Sequence, residues 1–181
     1  MTAPDSHPFG VDPTAAAVAL AWVEHLRQGD IDALWPATSH AYRLALTQWW
    51  MTANPAVSND TTVKGRSREA VAEEISTGQH PLFSHLRRVL ARDLRASIAD
   101  LADLALAPGT APRLVGPDIE LVALFVEENV PEGTFAPGAI AQVVTIAVTR
   151  EGGDWLVAGL NCVAVPGWPP TWSPVDANLT D

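Results

Sequence analysis

The chain is short of several residue types, and each shortage excludes something. Cys162 is the one cysteine among 181 residues, so there is no intrachain disulfide framework. Cations are scarce: 11 Lys plus Arg stand against 21 Asp plus Glu, a net charge of −10 with neutral histidines. That sign repels phosphate backbones and anionic lipid, which argues against nucleic acid or a membrane as the partner. Lys64 is the only lysine and Tyr42 the only tyrosine. The N-terminus lacks a basic start followed by an apolar core, so no signal peptide is expected. The longest clean apolar stretch, Ala15 to Val23, falls far short of the ~20 residues that span a bilayer. The expectation is a cytoplasmic protein with a reduced thiol.

Chemical motifs are missing too. His80 and His85 are five apart and do not share a helical face, and His25 and His40 have no carboxylate at a metal-binding spacing. There is no phosphate-binding loop, no dinucleotide fingerprint and no Gly-x-Ser-x-Gly. No metal and no cofactor are therefore expected.

What is present is an apolar half: 48% hydrophobic against 18% charged, a globular composition. A single domain of this length buries roughly 70% of its unfolded surface without staples. Residues 1–11 read as a loose arm, 12–165 as one domain, and 166–181 as a Pro/Trp-rich tail. Asp12 and Pro13 suit the start of a first helix, whose stripe is Val18, Ala19, Trp22 and Leu26, with Gly29 as its stop. Asp30 caps a short second helix, Ile31 to Trp35. Thr38 or Ser39 opens a third, running to about Ala53, with Tyr42, Leu46, Trp49 and Trp50 on one face. A short strand is expected at Thr61 to Lys64 and a helix at Ser67 to Ser76. A long helix from Pro81 to about Leu106 follows, with apolar residues in steps of three and four.

Beyond Pro112 the period changes. Asp118 to Val130, Ile140 to Arg150 and Trp155 to Val165 read as strands, with an edge strand near Arg113 to Gly116. Gly152-Gly153 makes a two-residue hairpin turn. Counting from it, Trp155, Val157, Gly159 and Asn161 share a bulky face with Val148, Ile146, Val144 and Gln142. Ala158, Leu160 and Cys162 fall on a smaller apolar face, which a second subunit would cover. The expectation is a homodimer through that outer face. Helices first and an antiparallel sheet last make an α+β domain.

Two local patterns go further. Ala21-Trp22-Val23-Glu24-His25-Leu26-Arg27-Gln28-Gly29-Asp30-Ile31-Asp32-Ala33-Leu34-Trp35 is a helix, a Gly-Asp and a second short helix. The last hairpin carries Gly153-Asp154-Trp155-Leu156-Val157-Ala158. With helices before sheet, the chain resembles the nuclear transport factor 2-like superfamily in its SnoaL-like and ketosteroid-isomerase-like branches, over residues 12 to 165. The resemblance implies a cone, a curved antiparallel sheet with N-terminal and central helices on its concave face, around an apolar pocket. It also implies a small, largely hydrophobic ligand, bound or else isomerised or dehydrated by general acid/base chemistry. The alternative is a noncatalytic binding or protein-interaction module.

Six residues are candidates for such a site. Asp93 falls on the apolar arc of its helix, where desolvation would poise a base. Tyr42 is a candidate donor to a developing oxyanion. Gln142 and Asn161 interrupt the bulky sheet face, and Trp22 and Trp49 are candidate pocket walls. Arg88, Arg92 and Arg95 form a cationic helix stripe, read as a solvated face with an anion site as the sharper alternative.

Overall fold

Helix α1 (Ala15–Gln28) begins at Thr14, whose hydroxyl oxygen accepts from the Ala17 N–H at 3.2 Å. This cap replaces Asp12, which lies outside the described residues. Gly29 ends the helix at φ 72°, a left-handed turn that glycine adopts without a Cβ clash. The computed structural model describes residues 14–101, 103–108, 113–116, 118–126 and 143–174. Asp30 caps α2 (Ile31–Leu34) and Ser39 caps α3 (His40–Ala53), both through side-chain oxygens. Asn54-Pro55 closes α3 and leads into a 3-10 turn, Pro55–Asn59.

Thr61 to Lys64 is a turn and not the expected strand. Asp60 Oδ1 accepts from both the N–H and the hydroxyl of Thr62, which curls the chain back on itself. Helix α4 (Arg68–Ser76) starts at Ser67. The next helix is shorter than its apolar period suggests: α5 covers Phe83–Ala96 only. There the Ser97 N–H is shared between the Asp93 and Leu94 carbonyls, and the Ser97 hydroxyl bonds Leu94 as well. This tightens the last turn, and a 3-10 segment, Ala99–Leu101, follows.

Seven strands are described. β1 (Leu106–Pro108), β2 (Arg113–Gly116), β3 (Ile119–Val126), β4 (Val143–Glu151) and β5 (Asp154–Leu160) form one antiparallel sheet. Its path runs β1-β3-β4-β5, with β2 also paired to β3. β6 (Cys162–Val165) and β7 (Thr171–Pro174) make a separate two-stranded ribbon. The chain is thus an α+β protein, with N-terminal helices packed on an antiparallel sheet. No helix among the described residues is long and apolar enough to cross a membrane.

The core lies between helices and sheet. Trp22, Val23 and Leu26 of α1, Tyr42, Leu46 and Trp50 of α3, and Leu86 and Leu90 of α5 are all buried there. They meet Val122, Leu124, Val144, Ile146, Val148 and Val157 from the inner sheet face. The hairpin register follows the Gly-Gly turn as far as Val148 opposite Val157. Then Ala158 forms a bulge, so that Ala147 faces Gly159 and Ile146 faces Leu160. One inserted residue turns the remainder of β5 over. Leu160 therefore enters the helix-side core and is not an outer-face residue as expected.

The smaller face is partly covered by the chain itself. Leu121, Ala147 and Ala158 cluster there with Val163 of β6. At Asn161 the backbone takes φ 56° and crosses over the end of β5. A Cβ on Gly159 would fall on the Cys162 carbonyl, so that position accepts only glycine. The segment after Val165 is packed as well: the Gly167 N–H donates to Gln48 Oε1 at 2.8 Å, and Arg68 lies over the Trp168 ring at 4.6 Å. The described packing thus runs on to β7.

Candidate functional site

Among the described residues, the sequence-expected positions Trp22, Tyr42, Trp49, Asp93 and Asn161 do not line either of the two depressions found. Trp22 is 1% exposed, and its Nε1–H donates to Thr38 Oγ1 at 2.9 Å inside the core. Trp49 stands on the solvent side of α3, 37% exposed. The two tryptophans therefore do not form opposite walls of a pocket. Most of the chain's tryptophans have structural work: Trp35 Nε1–H donates to the Ser76 carbonyl, and Arg150 lies over Trp155.

Tyr42 is buried beside Leu160 and Cys162, with its ring edge-on to Trp172. Burial pushes its hydroxyl well above the usual phenol range, and the neighbouring thiol adds to this. Tyr42 is 2% exposed and packs as part of the core. Cys162 is also raised, mainly by burial, and its S–H donates to the Leu160 carbonyl. Asn161 sits at the exposed corner of the crossover. Its Oδ1 accepts from the N–H and hydroxyl of Thr145 at 3.0 and 3.1 Å, so it ties down the turn. Gln142 lies outside the described residues.

Asp93 does not meet the requirement for a poised base. Its Oδ1 accepts from Arg92 Nε at 2.6 Å, and its side chain is one-third exposed. An acid paired to an adjacent guanidinium and wetted by solvent lacks the desolvation that would poise it for proton abstraction. On α5 the fully buried positions are Leu86 and Leu90, with Phe83, Val89, Ala91 and Leu94 packed beside them, and Asp93 lies at the edge of that face.

Two depressions do exist among the described residues. One is an apolar groove of about 540 Å³ between α1 and the segment entering β1. Ala17, Leu20, Ala21 and Leu106 line it, with Glu24 and Arg27 as its charged members. Both carboxylate oxygens of Glu24 are engaged. Oε1 accepts from Gln28 Nε2 at 2.7 Å, and Oε2 lies 3.7 Å from Arg27 Nη1. Arg27 Nη2 donates to the Leu104 carbonyl at 2.7 Å, which anchors the chain beside β1. The sequence held a signal for this groove. Residues 15–23 carry no polar side chain on any side of the helix, and a helix apolar all round is covered on more than one side.

The second depression, about 370 Å³, lies between the end of α3 and α5. It is lined by Trp50, Asn54, His85, Arg88, Val89 and Arg92. The Asn54 side-chain amide donates to the Trp50 carbonyl at 2.7 Å and is held in place. Its signal in the sequence was the density of arginine along α5.

No group of three or more His, Cys, Asp or Glu side chains among the described residues is placed to hold a metal ion. Compared with known proteins, the chain matches no family model, no curated protein and no solved structure.

Proposed function

We propose that the chain belongs to the nuclear transport factor 2-like superfamily and binds a small, largely hydrophobic molecule, in the groove along α1, without transforming it. The Gly-Asp patterns around Gly29 and Gly153, and helices preceding an antiparallel sheet, support the family. The cone shape and a homodimer, both implied by the family likeness, belong to this proposal. One observation carries the binding reading. Helix α1 is apolar on two sides, and only one of them, Ala19, Trp22, Val23 and Leu26, is fully consumed by the core. The other, Ala17, Leu20 and Ala21, opens onto the groove. A volume of about 540 Å³ lies within the usual range for small-molecule sites, and an apolar lining with few polar groups is their usual form.

The space beneath the helices is a poorer place for a ligand, because Trp22, Leu26, Leu86, Leu124 and Ile146 already fill it. The noncatalytic form is preferred because Glu24, the one carboxylate among the described lining residues, is solvent-exposed and already paired with Gln28 and Arg27. The test uses the uncharged dye Nile red. Its fluorescence should rise with the wild-type protein. Ala17→Trp and Ala21→Glu, both at exposed positions, should abolish the rise while leaving the thermal midpoint unchanged. A dye response that survives both substitutions would remove the groove as the binding site.

A further inference from the structure

We infer that the cleft between α3 and α5 is a second site, which takes the oxyanion of a small aromatic acid. Three observations carry this. The chain has 11 cationic side chains against 21 anionic ones, yet four of the 11 (Arg87, Arg88, Arg92 and Arg95) fall within one stretch of α5. Arg87 is used in the fold: it pairs with Asp32 at 2.7 Å and lies over the Phe83 ring. Arg88 makes no ion pair or hydrogen bond among the described residues, and Arg92 spends its Nε on Asp93. Arg88 and Arg92 stand four apart on one helical face, where like charges repel. An acidic protein thus holds two guanidinium groups at one depression, Arg88 without an ion-pair partner among the described residues and Arg92 paired with Asp93, with His85 beside them.

The lining defines the ligand. Guanidinium groups match carboxylate and phosphate oxygens and form charge-assisted hydrogen bonds with them. Trp50, 4% exposed, and Val89 supply an apolar wall for a ring. Asp93 holds Arg92 in position, which lowers the cost of ordering that side chain on binding. The net charge of −10 makes a pair of cationic side chains at one depression unusual for this chain. The α1 groove plays no part in this inference.

The experiment titrates the full chain with phenylacetate and phenyl phosphate, following backbone amides by 15N NMR. Benzyl alcohol and inorganic phosphate are the uncharged and ring-free controls. Signals from residues 50–54 and 85–92 should move with the charged aromatic probes, and the stronger of the two distinguishes a carboxylate from a phosphate ligand. Inorganic phosphate should bind at least about tenfold more weakly, and benzyl alcohol should not bind. Arg88→Gln, at an exposed position, should weaken binding about tenfold, the size of one lost charge-assisted contact. Arg92→Gln should do the same. No shift up to about 10 mM probe, equal binding of benzyl alcohol, or an unchanged affinity in Arg88→Gln would each overturn the inference. Nile red binding in the same samples reads the α1 groove separately.

Discussion

Replacing Thr38 with Val should destabilise the fold far more than so small a change suggests. Thr38 is fully buried where α2, α1 and β5 meet. Its Oγ1 accepts from Trp22 Nε1–H at 2.9 Å and donates to the Leu34 carbonyl at 2.8 Å. Valine keeps the shape and removes both bonds. The indole N–H of Trp22 and the Leu34 carbonyl are then left dry and unpaired. Each stranded group costs about 1–3 kcal/mol, and the gain from burying a methyl in place of a hydroxyl offsets part of that. The expected loss is about 2–4 kcal/mol, a drop of about 5–12 °C in Tm for a domain of this size. Thr38→Ser keeps the hydroxyl and should lose clearly less. A double-mutant cycle isolates the indole bond: in a Trp22→Phe background only the Leu34 carbonyl is stranded, so the cost of Thr38→Val should shrink by about 1–2 kcal/mol. Urea unfolding of the four proteins is the assay. A Thr38→Val protein within about 0.5 kcal/mol of wild type, or strict additivity in the cycle, would refute the reasoning.

Gly159→Ala drives a Cβ into the Cys162 carbonyl, a backbone atom that cannot swing aside, and should cost more than about 3 kcal/mol by urea titration. Leu160→Glu places a charge in the helix-side core, so circular dichroism should show an unfolded or aggregated chain and sedimentation no soluble folded monomer. Glu69 is held from the usual 4.5 down to about 2, chiefly by the Ser67 hydroxyl and then by Arg68. A lowered folded pKa means its contribution is present above about 4.5 and fades as pH falls towards about 2. Ser67→Ala should move the Glu69 carboxyl titration, followed by 13C NMR, upward towards 4.5, and an unmoved titration would show that Ser67 is not the cause.

Local chemistry was legible and long-range geometry was not. Ser39, Asp30, Ser67 and Gly29 mark helix ends because a cap needs only its nearest neighbours. The Gly152-Gly153 turn and the pairing of Arg150 with Trp155 follow for the same reason. α5 was read too long because Ile98, Leu101 and Leu104 keep the helical step while Ser97 diverts the backbone. The bulge at Ala158 was missed because period-two counting has no place for an inserted residue. Gly159, a glycine inside a strand, was its sign. That one slip placed Leu160 on the wrong face. The surroundings of Asp93 were only half legible, because the helical wheel shows which way a residue faces but not that Arg92, next in sequence, reaches it. The groove and the cationic cleft each need two segments distant in sequence, and only their halves were visible.

The contact between Ala37–Ser39 and β5 also has a consequence for how copies of this chain behave at high concentration. The Val157 N–H donates to the Ala37 carbonyl at 2.9 Å, and the Ser39 N–H donates to the Val157 carbonyl at 2.8 Å. The last strand of the large sheet thus has its outward backbone groups spent at its midpoint. At the opposite margin β3 is bordered by two short pieces, β1 and β2, and not by one long strand. Among the described residues, a sheet so bounded offers no long ladder of unpaired amides and carbonyls for another molecule's strand to template on. Strand addition at the β5 margin therefore has to begin with opening of the Ala37–Ser39 contact, and it should be slowest where that contact is most stable.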